Sequence, residues 1–212
     1  MAETCPLCMS AETAPYCEDR RREFRRCAVC RLIFVPAVYH LPVEAERRRY
    51  LTHRNNPHDD RYRAFLGRLH DPLVARLPPG ARGIDFGCGP GPTLSVMFAE
   101  SGFAMVNYDP CFFSELGLLK DRYDFLTCSE AIEHFCTPAV EWQRVLGLVY
   151  RGGWIGIMTA RVDEVEDFNS WYYKEDPTHV CFYSRATFDW LAARDALAVE
   201  YCGDSVVLLR RR

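Results

Sequence analysis

Apolar positions along the chain follow two rhythms. From Leu41 to Pro79 the period is helical: Glu44–Leu51 carries it, and in Asp60–Leu69 the side chains of Tyr62, Phe65, Leu66 and Leu69 fall on one stripe. Two helices joined by residues 52–59 are predicted, ending at Leu77-Pro78-Pro79-Gly80. Beyond Gly80 the rhythm shortens. Arg82-Gly83-Ile84-Asp85 runs into a cluster of glycines and out into a Met/Phe/Leu-rich helical stretch, which predicts strand, tight turn and helix in succession. Gly102–Asp109 reads as the next parallel strand. Ser184 caps a helix that continues through Trp190 and Leu191, and two last strands lie around Ala198–Tyr201 and Val206–Leu209.

Composition narrows the class. A chain of 212 residues that is 49% hydrophobic buries one ordinary core plus a small appendage. Neither a charged-then-apolar leader nor an apolar run of the ~20 residues needed for a membrane span is present, so a soluble, cytoplasmic protein without a membrane partner is expected. Eleven cysteines in such a chain read as reduced thiols, metal ligands or small core residues rather than disulfides.

Four of them are patterned. Cys5-x-x-Cys8 and Cys27-x-x-Cys30, with eighteen residues between, have the spacing of a zinc ribbon in which two knuckles converge on one tetrahedral ion. Four thiolates close the coordination shell, so the zinc is expected to be structural, holding a segment too short to fold by apolar burial. Cys17 is left over as a spare thiol. Arginines surround the second knuckle (Arg20, Arg21, Arg22, Arg25, Arg26 and Arg31), with Phe24 among them, and such a patch can track a phosphate backbone. Glu18, Asp19 and Glu23 interrupt the run, the formal net charge is −3, and Arg is abundant throughout the chain, so a solvated basic face is favoured over nucleic-acid contact.

The glycine cluster, Asp85-Phe86-Gly87-Cys88-Gly89-Pro90-Gly91, carries the strongest chemistry. Glycines let a ligand approach the backbone, and the free N–H groups of the following helix favour negative charge. The acid two residues before G-x-G-x-G, and Asp109 at the next strand end about twenty residues later, suit a nucleoside ligand whose ribose hydroxyls donate to a carboxylate. The pattern resembles the first motifs of class I S-adenosylmethionine (SAM) methyltransferases, of the ubiquinone-pathway-like superfamily. Tyr123–Phe135, which contains Glu130-Ala131-Ile132-Glu133-His134, resembles the family's fourth strand and its trailing turn, and Arg151–Thr159 resembles the entry to the fifth. The resemblance, from about Gly80 onward, implies a Rossmann-like α/β sheet at residues 80–212, preceded by a zinc ribbon at 1–40 and a two-helix cover at 41–79. It implies SAM contacts at Asp85, Gly87, Cys88, Gly89, Gly91, Tyr108, Asp109, Pro110, Cys128, Ser129 and Glu130.

One departure stands out. Asp109 and Tyr123 are only fourteen positions apart, too few for a helix, third strand and second helix, so the third strand is expected to be missing or vestigial. Phe112 and Phe113 are then candidates for an apolar wall against the adenine, or for core. The acceptor is expected beyond the fourth and fifth strand ends, near Glu130–Phe135 and the aromatic-rich segment Asp167–Tyr183. Polar residues 52–59 are candidates for a lid.

The implied activity is transfer of the SAM methyl to an oxygen or nitrogen nucleophile, most simply of a small molecule. Alternatives are RNA or protein methylation with the ribbon as recognition module, or SAM binding without turnover. His134, His179 and Glu133 are the candidate catalytic groups. Glu130, Glu133, His134 and His179 also resemble the metal ligands of small-RNA 2′-O-methyltransferases, which implies a possible second divalent ion; the alternatives are cofactor contact for Glu130 and His134 and a loop-anchoring hydrogen bond for His179.

Overall fold

The computed structural model describes residues 3–52 and 55–212. His53 and Arg54, in the candidate lid, lie outside the described residues. The N-terminal segment forms a small antiparallel sheet: β1 (Thr13–Glu18), β2 (Glu23–Cys27) and β3 (Ile33–Phe34). Helices α1 (Val43–Tyr50) and α2 (Asp60–Val74) follow, the second capped by Asp59, whose carboxylate accepts from the amides of Arg61 and Tyr62. The main sheet then begins with β4 (Arg82–Phe86), α3 (Thr93–Glu100), β5 (Ala104–Tyr108), β6 (Tyr123–Ser129), α4 (Pro138–Leu148) and β7 (Val149–Met158).

A two-residue strand, β8 (Cys181–Phe182), precedes α5 (Arg185–Arg194), whose Ser184 and Thr187 form a reciprocal capping box. The hairpin β9 (Leu197–Cys202) and β10 (Val206–Arg211) completes the sheet, with strand order β5-β4-β6-β7-β10-β9. The β5/β4, β4/β6 and β6/β7 pairs are parallel, and the last two are antiparallel. This is the mostly parallel, Rossmann-like arrangement expected. Strand β5 stands at an edge because the chain from Asp109 to Tyr123 makes only a bridge between Asp109 and Phe113 and a 3-10 turn, Leu116–Lys120, where a third strand would pair.

Alternation along the strands divides the core. Phe125, Met158, Val206 and Leu208 pack under α2 and α3 with Leu66, Leu69, Leu94 and Phe98. Leu126, Ile157, Val207 and Leu209 face α4 and α5 with Trp142, Val145, Phe188 and Leu191. Strands covered on both faces need unbroken apolar runs, which is why Val206–Leu209 has no polar member.

The ribbon belongs to that second core. Phe24, Leu32, Phe34 and Val35, all nearly fully buried, lie in the same cluster as α4 and α5. Strand β3 pairs with β8, Ile33 opposite Phe182 and Phe34 opposite Cys181, so the ribbon sheet runs β1-β2-β3-β8. Its fourth strand thus comes from the part of the chain that builds the main sheet. Among the described residues no helix is long and apolar enough to cross a membrane.

Candidate cofactor and acceptor site

One cavity of about 680 Å³ runs from the glycine turn to the segment before β8, a size ordinary for small-ligand sites. Its cofactor end is made mostly of backbone. Gly87 (φ 81°) and Gly89 (φ 65°) hold the left-handed conformation that bends the chain from β4 toward α3. A Cβ on Gly87 would sit 2.6 Å from Cβ of Ala131, so the turn after β6 packs directly on it. Gly91 is under the cover: its Cβ would lie 2.4 Å from the carbonyl oxygen of Asn55. The glycine there makes room for residue 55 of the chain, and Asn55 itself lines the cavity.

Asp109, 8% exposed, accepts from the amide of Gly89 through Oδ2 (3.0 Å) and from those of Cys111 (2.8 Å) and Phe112 (3.2 Å) through Oδ1. The carboxylate thereby ties the end of β5 to the glycine turn and faces the cavity. Asp85, at the end of β4, is buried with Thr127 Oγ1 donating to it at 2.6 Å; burial, with Asp109 nearby, raises its pKa to about 7. Ser129 lines the wall and its buried Oγ has no partner among the described residues. An acid with no cation and a hydroxyl with no acceptor among the described residues fit a ligand with ammonium and hydroxyl groups.

The acceptor end is made of side chains. Glu130 follows β6 with φ 47°, and a 3-10 turn covers Ile132–His134, in place of a single helical turn opened by Ser129. Glu133 is wholly buried: Tyr173 Oη donates to its Oε1 at 2.5 Å and Thr159 Oγ1 to its Oε2 at 3.0 Å. His134 Nδ1–H donates to the carbonyl of Thr178 (3.1 Å) and His179 Nδ1–H to that of Tyr173 (2.7 Å). Both histidines therefore carry the proton on Nδ1 and keep the Nε2 lone pair.

Their rings are 4.7 Å apart between centroids, and the nearest ligating atoms of Glu133, His134 and His179 all lie within 4.8 Å of one another. Burial lowers the pKa of His134, and burial with His134 alongside lowers that of His179 to about 3, so both are neutral. Burial likewise raises Glu133 to about 7 and Glu130 to about 8. Glu130 stands outside the three-residue group, its Oε2 3.3 Å from the Tyr173 hydroxyl.

Of the residues expected to contact the cofactor, Asp85, Gly87, Cys88, Gly89, Tyr108, Asp109, Pro110, Ser129 and Glu130 line the cavity. Cys128 does not: it is 1% exposed and packed in the core, because strand alternation turns it to the face opposite Ser129. Gly91 lies beneath Asn55 rather than on the wall. Phe112 and Phe113 are absent from the lining; Phe113 pairs with Asp109 and the Arg47 guanidinium sits 6.0 Å from the Phe112 ring. Cys111, Phe135 and Cys136 line that part of the cavity instead. Sequence reasoning missed Tyr173 as the link between the two glutamates, and Glu46 and Tyr50 of α1 as acceptor-side wall; Tyr50 follows Glu46 at i+4, the spacing that joins them at 2.5 Å.

The four ribbon sulfurs converge, Cys5 to Cys30 at 3.5 Å and Cys8 to Cys27 at 3.4 Å. Met9 and Arg31, each directly after the second cysteine of its pair, are left-handed (φ 62° and 64°), so the two knuckles share one turn geometry. The arginines there divide: Arg22 is buried, Arg25 pairs with Glu23 at 2.6 Å and Arg26 lies over Tyr16, whereas Arg20, Arg21 and Arg31 are exposed, Arg21 beside Glu175 at 3.1 Å.

Sheet order, glycine turn and strand-end acids together define a class I SAM-dependent methyltransferase. A family model described as a methyltransferase domain matches residues 58–200, and the chain belongs to that family. No curated protein matches the chain. Among solved structures it is similar to CalO1, a methyltransferase in calicheamicin biosynthesis bound to SAH, at 14% identity and TM-score 0.50, over 72% of this chain and 55% of that one. A Pyrococcus horikoshii OT3 protein matches at 14% identity and TM-score 0.52, over 74% and 94%. Magnesium protoporphyrin IX methyltransferase from Synechocystis PCC 6803, with bound SAH, matches at 14% and 0.51, over 80% and 94%. These likenesses bear on the fold.

Proposed function

We propose that the protein transfers the methyl group of SAM to an oxygen or nitrogen nucleophile of a small-molecule acceptor seated between Glu46, Tyr50, Phe135 and the two histidines. The observation that carries this reading is the continuity of the cavity from the glycine turn to His134 and His179. SAM would lie with its ribose on Asp109, its ammonium toward Asp85 and its methionyl chain under Asn55 and Tyr62. The acceptor's lone pair attacks the methyl carbon, the carbon–sulfur bond breaks, and SAH leaves as the neutral thioether. The methyl is already activated by the cationic sulfur, so alignment in a water-poor cleft supplies much of the acceleration. With no ion on the imidazoles, a proton lost by the acceptor passes to Nε2 of His134 or His179; with an ion bound there those lone pairs are occupied and the proton leaves to solvent.

The donor set Glu133, His134 and His179 fits a divalent ion, with Glu130 reachable through Tyr173. Each histidine donates its other ring N–H to a backbone carbonyl, the outer support that metal-binding imidazoles use. When bound, such an ion would lower the proton affinity of an acceptor hydroxyl. Cys5, Cys8, Cys27 and Cys30 fit structural zinc, whose bonds of about 2.3 Å place tetrahedral sulfurs about 3.8 Å apart. The formal net charge of −3 and the acids Glu18, Asp19 and Glu23 among the ribbon arginines favour a small acceptor over RNA. A cytoplasmic, reducing compartment suits four zinc-bound thiolates.

The test is incubation of cell extract with the protein and methyl-labelled SAM, followed by mass spectrometry. A labelled metabolite that disappears on chelation and returns with Mg²⁺ or Mn²⁺ supports the full reading. Label in RNA alone would overturn the choice of acceptor, and SAM binding without any labelled product would overturn turnover.

A further inference from the structure

The turn between β1 and β2 reaches from the ribbon into the acceptor side. Asp19 Oδ1 accepts from the amides of Arg21 (2.8 Å) and Arg22 (3.0 Å), which shapes the turn and aims the Arg22 side chain toward the methyltransferase part of the chain. Arg22 is 7% exposed. Its guanidinium meets four backbone carbonyls of one short segment: Nη1 donates to His179 (2.8 Å) and Pro177 (3.4 Å), and Nη2 to Asp176 (2.9 Å) and Lys174. A guanidinium has five N–H groups in one rigid plane, and a lysine ammonium cannot reproduce that fork. Lys174, itself buried, adds a second link through Asp19 and Glu175.

Segment 173–179 has little regular structure to hold it. After the 3-10 turn Tyr172–Glu175 there is no helix or strand until β8, yet the segment presents the Tyr173 hydroxyl to Glu133 and His179 to the cavity. The carbonyl of Tyr173 orients the His179 ring, and that of Thr178 orients His134. The residues that orient the acceptor-side imidazoles are thus wound around an arginine from the ribbon.

We propose that Arg22 is a positioning residue for methyl transfer: by gathering the carbonyls of Lys174, Asp176, Pro177 and His179 it sets where Tyr173 and His179 stand, so the ribbon shapes the acceptor side of the site. The inference rests on the acceptor-side role given to His179 above. It extends that role to a residue remote from the methyl, and it makes the ribbon a support behind the active-site wall.

Arg22→Lys and Arg22→Gln, made in the full chain, test it, with Val145→Ala on α4 as a control for general loss of stability. Both Arg22 variants are expected to keep one zinc per chain by elemental analysis and to bind SAM with unchanged affinity by calorimetry. Amide exchange at residues 176–180 should speed up by about tenfold or more, while residues 85–89 stay protected. Nitrogen-15 spectra should show the His179 ring leaving its single Nδ1–H tautomer. Labelled-methyl turnover should fall by up to about 100-fold with the SAM KM unchanged, the scale of a misplacement near 1 Å.

Exchange and His179 signals unchanged in both variants would overturn the inference. So would changes matched by Val145→Ala, or signals that move without any change in turnover. If His179→Ala itself leaves turnover intact, the reading of the acceptor site has failed instead, and the exchange data still report on the clamp.

Discussion

The two ends of the cavity are built on different principles. The cofactor end comes from strand–turn–helix and the next strand end, residues 85–109, and works through backbone amides, glycines and two carboxylates. The acceptor end draws side chains from α1, the turn after β6, the segment before β8 and, through Arg22, the ribbon. A site made of backbone persists as long as the strands pair. One made of side chains from four distant segments depends on each of them holding still. Cofactor binding and methyl transfer should therefore separate under mutation.

The widest separation is expected in Glu133→Gln and His179→Ala. Each should lower labelled-methyl turnover by about 100-fold or more, the usual span of an acid–base group, with the SAM dissociation constant unchanged by calorimetry. Equal losses in both quantities would erase the distinction between the two ends. Asp109→Ala probes the opposite half: losing two charged hydrogen bonds of about 1.5–3 kcal/mol each should weaken SAM binding tens-fold or more. Unchanged affinity there would remove Asp109 from the ribose site.

Gly91→Ala touches the seam between halves. Its Cβ, 2.4 Å from the Asn55 carbonyl, has to displace the cover, so SAM should bind about threefold to tenfold more weakly, on the scale of 1 kcal/mol, and proteolysis near residues 52–59 should increase.

The smallest effect is one of pH. Because burial raises Asp85 to about 7 in the folded, SAM-free protein, its neutral form contributes stability that is complete below its unfolded pKa and is lost as pH rises through about 7. The melting temperature of the SAM-free protein should fall more steeply over that interval than that of Asp85→Asn, and the gain in SAM affinity from pH 6 to pH 8 should be smaller in Asp85→Asn. Parallel melting curves for the two proteins would place the titration elsewhere.

Legibility in the sequence follows the same divide. The glycine turn, Asp109, the paired CxxC knuckles and the absent third strand are local facts, written in spacings of a few residues. The burial of Cys128 is legible too: if Ser129 faces the cavity, period two sends its neighbour's side chain into the core. Arg22 was not readable, because a buried arginine inside a run of arginines looks like a solvated face until the segment 150 positions away wraps around it. Tyr173 lay within an aromatic-rich stretch, and only the fold says which of those rings meets Glu133. Pairing of β3 with β8 left no trace either, since two-residue strands carry no period.

That pairing has a bearing on synthesis. Ile33 must find Phe182, so the ribbon sheet gains its last strand only after about 150 further residues have been made, roughly 8–30 s at ordinary elongation rates. During that interval Phe24, Phe34 and Val35 have no methyltransferase core to pack on. Two knuckles joined through a metal ion, as proposed above, would keep this stretch compact on the ribosome until its fourth strand arrives.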